Sequence, residues 1–454
     1  MAHRLPPLLL LPRLTTRQLS TQPKTKLAPS LSILDLPSTT THSLQAIVDP
    51  FELLANELSH LKQNIKALVG SDHLRLNSIA KYYLASAHQG KHLRPLVVLL
   101  ISQATAAPPL ADRPRPTNAL HFIDRPISPP EILNDNNSSS DQQGLLPEEA
   151  EDSAILPAQR RLAEIAELIH VSSLLHDDVI DQAETRRGQA SAPRQFGSKL
   201  SVLAGDFLLA RASLNLARLR NFEVIELISS VISNLVEGEL IQLESILVPH
   251  LQNPPKLAPS SDPSNLQSTS LSHSPAAFDP RLFDFYMRKN YLKTASLIAK
   301  TCRAAVILSS SSSSSSPPSP QTQELIEASY QFGKHLGLAF QIVDDILDYT
   351  GSEDELGKTG NGSDLKAGLI TGPGLFAWKQ FDRTFGELVV RKFCRPGDLD
   401  LAKEMVHKSD AIRSSYQLAS HHIQLCLSQL NSFNDSDAKA GLQRLCDLVL
   451  NRNH

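Results

Sequence analysis

The sequence predicts an all-α protein, and three observations carry that prediction. Apolar residues recur at helical spacing from Leu53 toward the C-terminus, no convincing run of strand alternation is present, and two Asp-Asp-x-x-Asp clusters sit in apolar surroundings. The clusters are Asp177, Asp178 and Asp181 in SLLHDDVID, then Asp344, Asp345 and Asp348 in FQIVDDILD. At 3.6 residues per turn, positions i, i+1 and i+4 share a helix face. Uncompensated like charges at that spacing weaken a helix, and the flanking Leu174, Leu175, Val179, Ile180, Ile342, Val343, Ile346 and Leu347 read as interior packing. Carboxylates at a buried edge need cations. Two such faces opposed across a bundle make an oxygen-lined site for Mg2+, an ion usually held by one or two carboxylates, several waters and a substrate's phosphates.

Taken in order, residues 1–40 read as a mitochondrial presequence. Arg4, Arg13, Arg17, Lys24 and Lys26 precede the first acid, Asp35, and the Leu8–Leu11 run between prolines is too short to span a bilayer. The first helix opens at Asp49-Pro50-Phe51-Glu52, with Asp49 as cap, Pro50 in the first turn and Glu52 at the capping-box position. Leu53, Leu54, Leu58, Leu61, Ile65 and Leu68 then form its stripe. In GKHLRP, Lys91 and Arg94 lie three apart beside Pro95, which marks a turn or kink. A lysine point charge beside an arginine fork suits a phosphate.

His170 and Ser173 share a face with Asp177, and Arg186 and Arg187 precede Gly188. Gly238-Glu239 with Gln242, and Tyr291-Leu292-Lys293-Thr294, place polar groups within apolar helices. Gln341 stands one turn before Asp344 and Asp345, and Lys358 follows Asp348. Three stretches rich in proline and serine, about 106–153, 249–280 and 309–320, read as surface insertions within one domain spanning 41–454. Further into the chain no segment reads as transmembrane.

The chain has 454 residues, 41% of them hydrophobic, and a net charge of -3, so it has no global basic field and no pull toward nucleic acid. Cys302, Cys394, Cys426 and Cys446 lack metal-type spacing and read as reduced core thiols.

The ordered motifs GKHLRP, HDDVIDQAETRRG, GDFLLARA, GELIQLE, YLKTASL, FQIVDDILDYTG and GSDLKAGLITGP resemble those of the trans-isoprenyl diphosphate synthases, most closely the mitochondrial polyprenyl (hexaprenyl-type) synthases of ubiquinone biosynthesis. The resemblance runs from Asp49 to His454 outside the insertions. It implies a helical bundle around a deep central cavity, commonly paired into homodimers, with a heteromer as the other arrangement. It implies isopentenyl diphosphate and an allylic diphosphate as substrates and Mg2+ as cofactor, three ions to an active site held by the six aspartates. By motif, Lys91, Arg94, His170 and Arg187 resemble the residues that hold isopentenyl diphosphate. Arg186, Lys293, Thr294, Gln341 and Lys358 resemble those that bind the allylic diphosphate, with Lys293 counted among the catalytic groups.

Family members that stop early carry bulky aromatics at the fourth and fifth residues before the first cluster. Here Ser173 and Ser172 stand there and leave the chain-length well open, which argues for a long product. A lipid product brings peripheral membrane contact, and the presequence places the protein in the mitochondrial matrix or on the matrix face of the inner membrane. Gly372, between Thr371 and Pro373, departs from the larger apolar residue more usual in the family. A terpene cyclase would carry an Asn/Ser/Glu-type second motif, which is absent. The remaining alternatives are a shorter-chain, geranylgeranyl-type synthase and a non-catalytic subunit; subunits of that kind typically lose aspartates that are all present here.

Overall fold

Helices of ten residues or more build the protein, and they follow one another with few other elements. The computed structural model describes residues 48–71, 73–85, 92–106, 154–247, 276–311, 319–351 and 362–452, which fall within one unit, Ile47–His454. The longer helices are α1 (Ala55–Leu68), α2 (Leu93–Ala104), α3 (Pro157–Ile180), α4 (Ser198–Arg218), α5 (Phe222–Leu247) and α6 (Arg281–Asn290). They continue with α7 (Ser296–Ser311), α8 (Pro320–Thr350), α9 (Gly372–Phe381), α10 (Asp398–Lys408), α11 (Ala411–Gln429) and α12 (Asp437–Leu450). The fold is all-α, as the periodicity predicts.

Residues 1–40, Lys91 and Lys358 lie outside the described residues, as does most of each insertion. Helix α7 runs to Ser311, and α8 starts at Pro320 behind the cap Ser319, whose hydroxyl accepts from the Thr322 amide.

Asp49 caps as expected, its Oδ1 accepting from the Phe51 amide at 2.7 Å, yet the helix it starts ends after Leu53 and α1 begins anew past Leu54. The apolar stripe is buried regardless, through Leu54, Leu61, Ile65 and Leu68. Pro95 makes no kink. It stands in the first turn of α2, where its missing N–H breaks no helical bond. Gln159 at the start of α3 accepts from the Leu156 amide and closes the first turn in place of a Ser or Thr cap.

One strand pair does form, Thr185–Arg186 (β1) against Gln189–Ala190 (β2), antiparallel with Arg186 opposite Gln189. Arg187 and Gly188 link the strands at φ 52° and 75°, which is how a two-residue hairpin turn matches strand twist. The pair is too short to show as alternation.

Two apolar cores fill the bundle. The larger joins α2, α3 and α7 through Leu96–Ile101, Leu162, Ile165, Leu168, Leu297 and Val306. The smaller packs Ile342, Val343, Ile346 and Leu347 of α8 against Tyr286, Leu375, Trp378 and Phe385. The flanks of the second aspartate cluster are therefore interior, as expected. In the first cluster Leu175 is fully buried but Ile180 is 40% exposed, because it ends α3. Of the cysteines, Cys302, Cys426 and Cys446 are buried and Cys394 is exposed. Among the described residues one helix, α4, is long and apolar enough to cross a membrane. It packs along α3 and carries Arg211 and Arg218 buried, which marks a core helix.

Candidate active site

The C-terminal ends of α3 and α8 bring the two aspartate clusters to the site, and a turn of π-helix at Tyr291–Ala295 stands between them. This π turn joins α6 to α7 and places Lys293 and Thr294 on consecutive positions. Single π turns set into longer helices recur at functional sites. Lys293 turns to α5, where its ammonium pairs with Glu239 and donates to Gln242 Oε1 at 3.1 Å. The approach is close: a Cβ on Gly238 would lie 2.7 Å from Lys293 Cγ. Thr294 turns to α8 and donates to Gln341 Oε1 at 2.7 Å. One backbone turn thus holds a cation against the surroundings of the first cluster and a hydroxyl against those of the second.

Contacts divide the six aspartates. Asp178 is 1% exposed, with Arg186 Nε at 2.8 and 2.9 Å from its two oxygens and the Tyr83 hydroxyl on Oδ2. Asp345 is buried, accepting from Tyr286 OH at 2.6 Å and from Gln341 Nε2 at 2.9 Å. Asp348 accepts the backbone N–H groups of Ser363 and Asp364, each at 3.0 Å, and pins the chain where it re-enters after Lys358. Among the described residues Asp177, Asp181 and Asp344 carry no such clamp. Burial pushes the Asp177 carboxyl up to about 7, against the opposing pull of Lys293, with Glu239 adding to the rise. Asp181 is raised by the same causes. A pair of carboxylates one turn apart, desolvated and facing Glu239, is short of positive charge. Asp344 is 43% exposed and meets the Arg452 guanidinium at 3.3 Å.

A second group of cations lies beside the first cluster. Arg94 of α2, His170 of α3 and Arg187 of the hairpin turn act on one another electrostatically, and Glu167 offsets both arginines. Burial lowers Arg94 to about 10, still charged at neutral pH. His170 is held well below its ordinary value, first by burial and then by Arg94 and Arg187, so it is a neutral hydrogen-bonding group. His92 adopts φ 46° at the start of α2 and contacts Glu167 Oε1 through Nδ1 at 3.0 Å.

Ser172 is buried, its hydroxyl donating to the Gly205 carbonyl at 2.8 Å where α3 meets α4. Ser173, half-buried, donates to the His170 carbonyl at 2.9 Å. The chain therefore brings together Asp177, Asp178, Asp181, Arg186 and Lys293 on one side, and Thr294, Gln341, Asp344 and Asp345 on the other. Four residues of the site carry no sequence signal of their own. Glu167 is one carboxylate in a helix rich in charge, Tyr83 and Tyr286 read as core aromatics, and Arg452 stands almost at the C-terminus, more than a hundred residues from the aspartate it meets.

Among the described residues no group of three or more His, Cys, Asp or Glu side chains is arranged to hold a metal ion by itself. The donor chemistry fits Mg2+: among the described residues Asp177, Asp181 and Asp344 keep unclamped oxygens, and the carboxyls of the first two stay raised in spite of Lys293 and Arg186.

A family model described as polyprenyl synthetase matches residues 145–406. The chain is 45% identical, over 408 residues, to a probable mitochondrial hexaprenyl pyrophosphate synthase of Neurospora crassa, covering 89% of this chain and 82% of that one. It is 40% identical, over 444 residues, to the mitochondrial hexaprenyl pyrophosphate synthase of Saccharomyces cerevisiae, covering 89% of this chain and 90% of that one. Among solved structures it is similar to the apo form of an Arabidopsis medium/long-chain length prenyl pyrophosphate synthase, with 30% identity, a TM-score of 0.57 and coverage of 89% of this chain and 100% of that one. A polyprenyl synthase from Caulobacter crescentus, 23% identical at a TM-score of 0.65 over 91% of this chain and 100% of that one, shares the fold. Motifs, architecture and relatives agree, and the chain belongs to the polyprenyl synthetase family.

Proposed function

We propose that this chain is a trans-polyprenyl diphosphate synthase, which condenses isopentenyl diphosphate head-to-tail onto an allylic diphosphate and builds the long side chain of ubiquinone. The observation that carries this reading is the π turn that holds Lys293 toward one aspartate cluster and Thr294 toward the other, in a chain of this family. Relatives named as mitochondrial hexaprenyl synthases, with the basic residues of 1–40, support a long prenyl product and import into the mitochondrion, and the same reading puts the activity at the matrix side of the inner membrane. The catalytic domain spans 41–454.

Asp177, Asp181 and Asp344 would hold the Mg2+ ions. When bound, Mg2+ neutralises the allylic diphosphate and makes it a better leaving group. Asp178, Asp345 and Asp348 act instead on the protein, fixing the hairpin, the end of α8 and the chain at Ser363. Lys293 donates to the diphosphate oxygens as the carbon–oxygen bond breaks and negative charge gathers there. Arg94, Arg187 and neutral His170, with Lys91, hold the diphosphate of isopentenyl diphosphate so that its double bond faces the allylic carbon. The new bond forms between the isopentenyl terminal carbon and the allylic carbon. The departed diphosphate takes the proton, leaving an allylic product five carbons longer.

Apolar side chains exposed on α4 and α5, namely Val202, Leu203, Phe222, Val236 and Leu240, form the surface by which two copies pair. The deciding experiment incubates the purified chain with Mg2+, an allylic starter and labelled isopentenyl diphosphate, then sizes the extracted polyprenols. Long products from this chain alone are expected; elongation only after a second subunit is added would replace the homodimer with a heteromer, and products that stop at about four units would move the chain to the short-chain synthases.

A further inference from the structure

We infer that Tyr286 positions the second aspartate cluster and that Gly372 is the residue that makes room for it, a proposal that rests on the reading of Asp344 as part of the Mg2+ and diphosphate site. The two oxygens of buried Asp345 are each held: Tyr286 OH donates to Oδ2 at 2.6 Å and Gln341 Nε2 donates to Oδ1 at 2.9 Å. Asp344, one residue earlier, points to a different side of the same helix, about 100° away, and is 43% exposed. Clamping Asp345 therefore fixes how the end of α8 is turned about its axis, and with it the direction in which Asp344 faces.

The clamp is also a closed ring. Tyr286 belongs to α6, which runs directly into the π turn; Thr294 of that turn donates to Gln341, and Gln341 donates to Asp345, which returns to Tyr286. The hydroxyl of one tyrosine thus links the orientation of Asp344 to the position of Lys293. Asn290 and the Gly372 amide face the same tyrosine oxygen.

Gly372 is where the tyrosine tip finds space. A Cβ at this position would stand 2.9 Å from Tyr286 Oη and 3.3 Å from Cζ, with Ser415 Oγ at 3.6 Å behind. Gly372 does not use the left-handed region, so space and not backbone freedom is what its missing side chain supplies. The ring of Tyr286 is 3% exposed and packed within the smaller core, so it has little room to retreat. The departure of this chain at Gly372 from a larger apolar residue is, on this account, the counterpart of the Tyr286–Asp345 bond.

The test compares the full-length protein with Y286F, G372A, the double variant and D344A. Two quantities are measured: the rise in Tm on adding Mg2+ with inorganic diphosphate, and the kcat and KM for the allylic starter. Tyr286→Phe keeps the packed ring and removes the bond, and Gly372→Ala leaves the hydroxyl but displaces it. Both are expected to lose most of the Tm rise and to lower kcat/KM roughly tenfold, the usual effect of losing a partner behind a metal ligand. The double variant should be no worse than Y286F, since no hydroxyl remains to be crowded. A normal Tm rise in Y286F and G372A, with the rise absent in D344A, would overturn the positioning role and leave the site standing. No rise in the unaltered protein would overturn the reading of the site itself, and the inference with it. Full additivity in the double variant would break the link between Gly372 and Tyr286. Should Y286F fail to fold, G372A alone decides the positioning role by the same two measurements.

Discussion

Neighbouring aspartates of one motif have opposite physical roles here, and substitution should separate them. Asp178, itself 1% exposed, neutralises Arg186 and anchors Tyr83, so Asp178→Ala leaves a largely buried guanidinium without its partner. That should cost about 3 kcal/mol of stability along with activity. Asp177, by contrast, is a carboxyl that desolvation raises to about 7 in spite of the pull of Lys293. Asp177→Asn should abolish elongation while leaving Tm unchanged or higher, and a thermal melt beside the elongation assay checks both. The two serines differ in the same way. Ser173 bonds only to its own helix, so Ser173→Phe should shorten the product with the fold intact. Ser172→Phe should also crowd the Gly205 carbonyl and cost about 1–3 kcal/mol, as overpacking does. An unchanged ladder of polyprenols in Ser173→Phe would move the well elsewhere.

Helix pairing supplies the pH dependence. Where α8 crosses α11, His335 and His422 stack at 5.2 Å and share an Nδ1–Nδ1 contact of 3.0 Å, with Lys334 and His421 as the neighbouring charges. Burial lowers His335 to about 4 and His422 to about 3, and each further positive charge nearby adds to the drop. In the unfolded chain both take a proton near pH 6.5. The unfolded state thus binds protons that the folded state refuses, so stability is intact above about pH 6.5 and falls as pH drops toward 4. The raised carboxyls of Asp177 and Asp345 act in the opposite direction over the same range, so the histidine pair's share is read as the difference between melts of the unaltered protein and of His422→Gln, which should lose less stability toward pH 4. The short hairpin makes a related point. Its two strands are invisible to periodicity, yet Arg186 and Arg187 face different partners because Arg186 ends a strand while Arg187 stands in the turn at φ 52°.

For the whole molecule, the proposed pairing of two copies rests on the exposed apolar residues of α4 and α5. Val236 and Leu240 lie one turn apart on α5 and are 65% and 56% exposed, a combination a helix keeps only where it meets another surface. Val236→Glu with Leu240→Glu should convert a dimer into a monomer in sedimentation velocity, with helicity unchanged by circular dichroism. A dimer that persists would place the interface on another face.

Periodicity, the two aspartate clusters and the order of the basic motifs were enough to read the all-α class, the family and most of the residues that meet at the site, because each is a local pattern of charge and apolar spacing. The sequence did not divide the aspartates, since Asp178 and Asp177 look alike until Arg186 and Tyr83 are seen to close on one of them. It did not reveal Glu167, Tyr286 or Arg452, whose meaning depends on partners brought close by packing. It marked Gly372 as unusual without a reason. Tertiary structure supplied the reason, because whether a missing side chain matters depends on what stands beside it, and here that is a tyrosine from a helix more than eighty residues away.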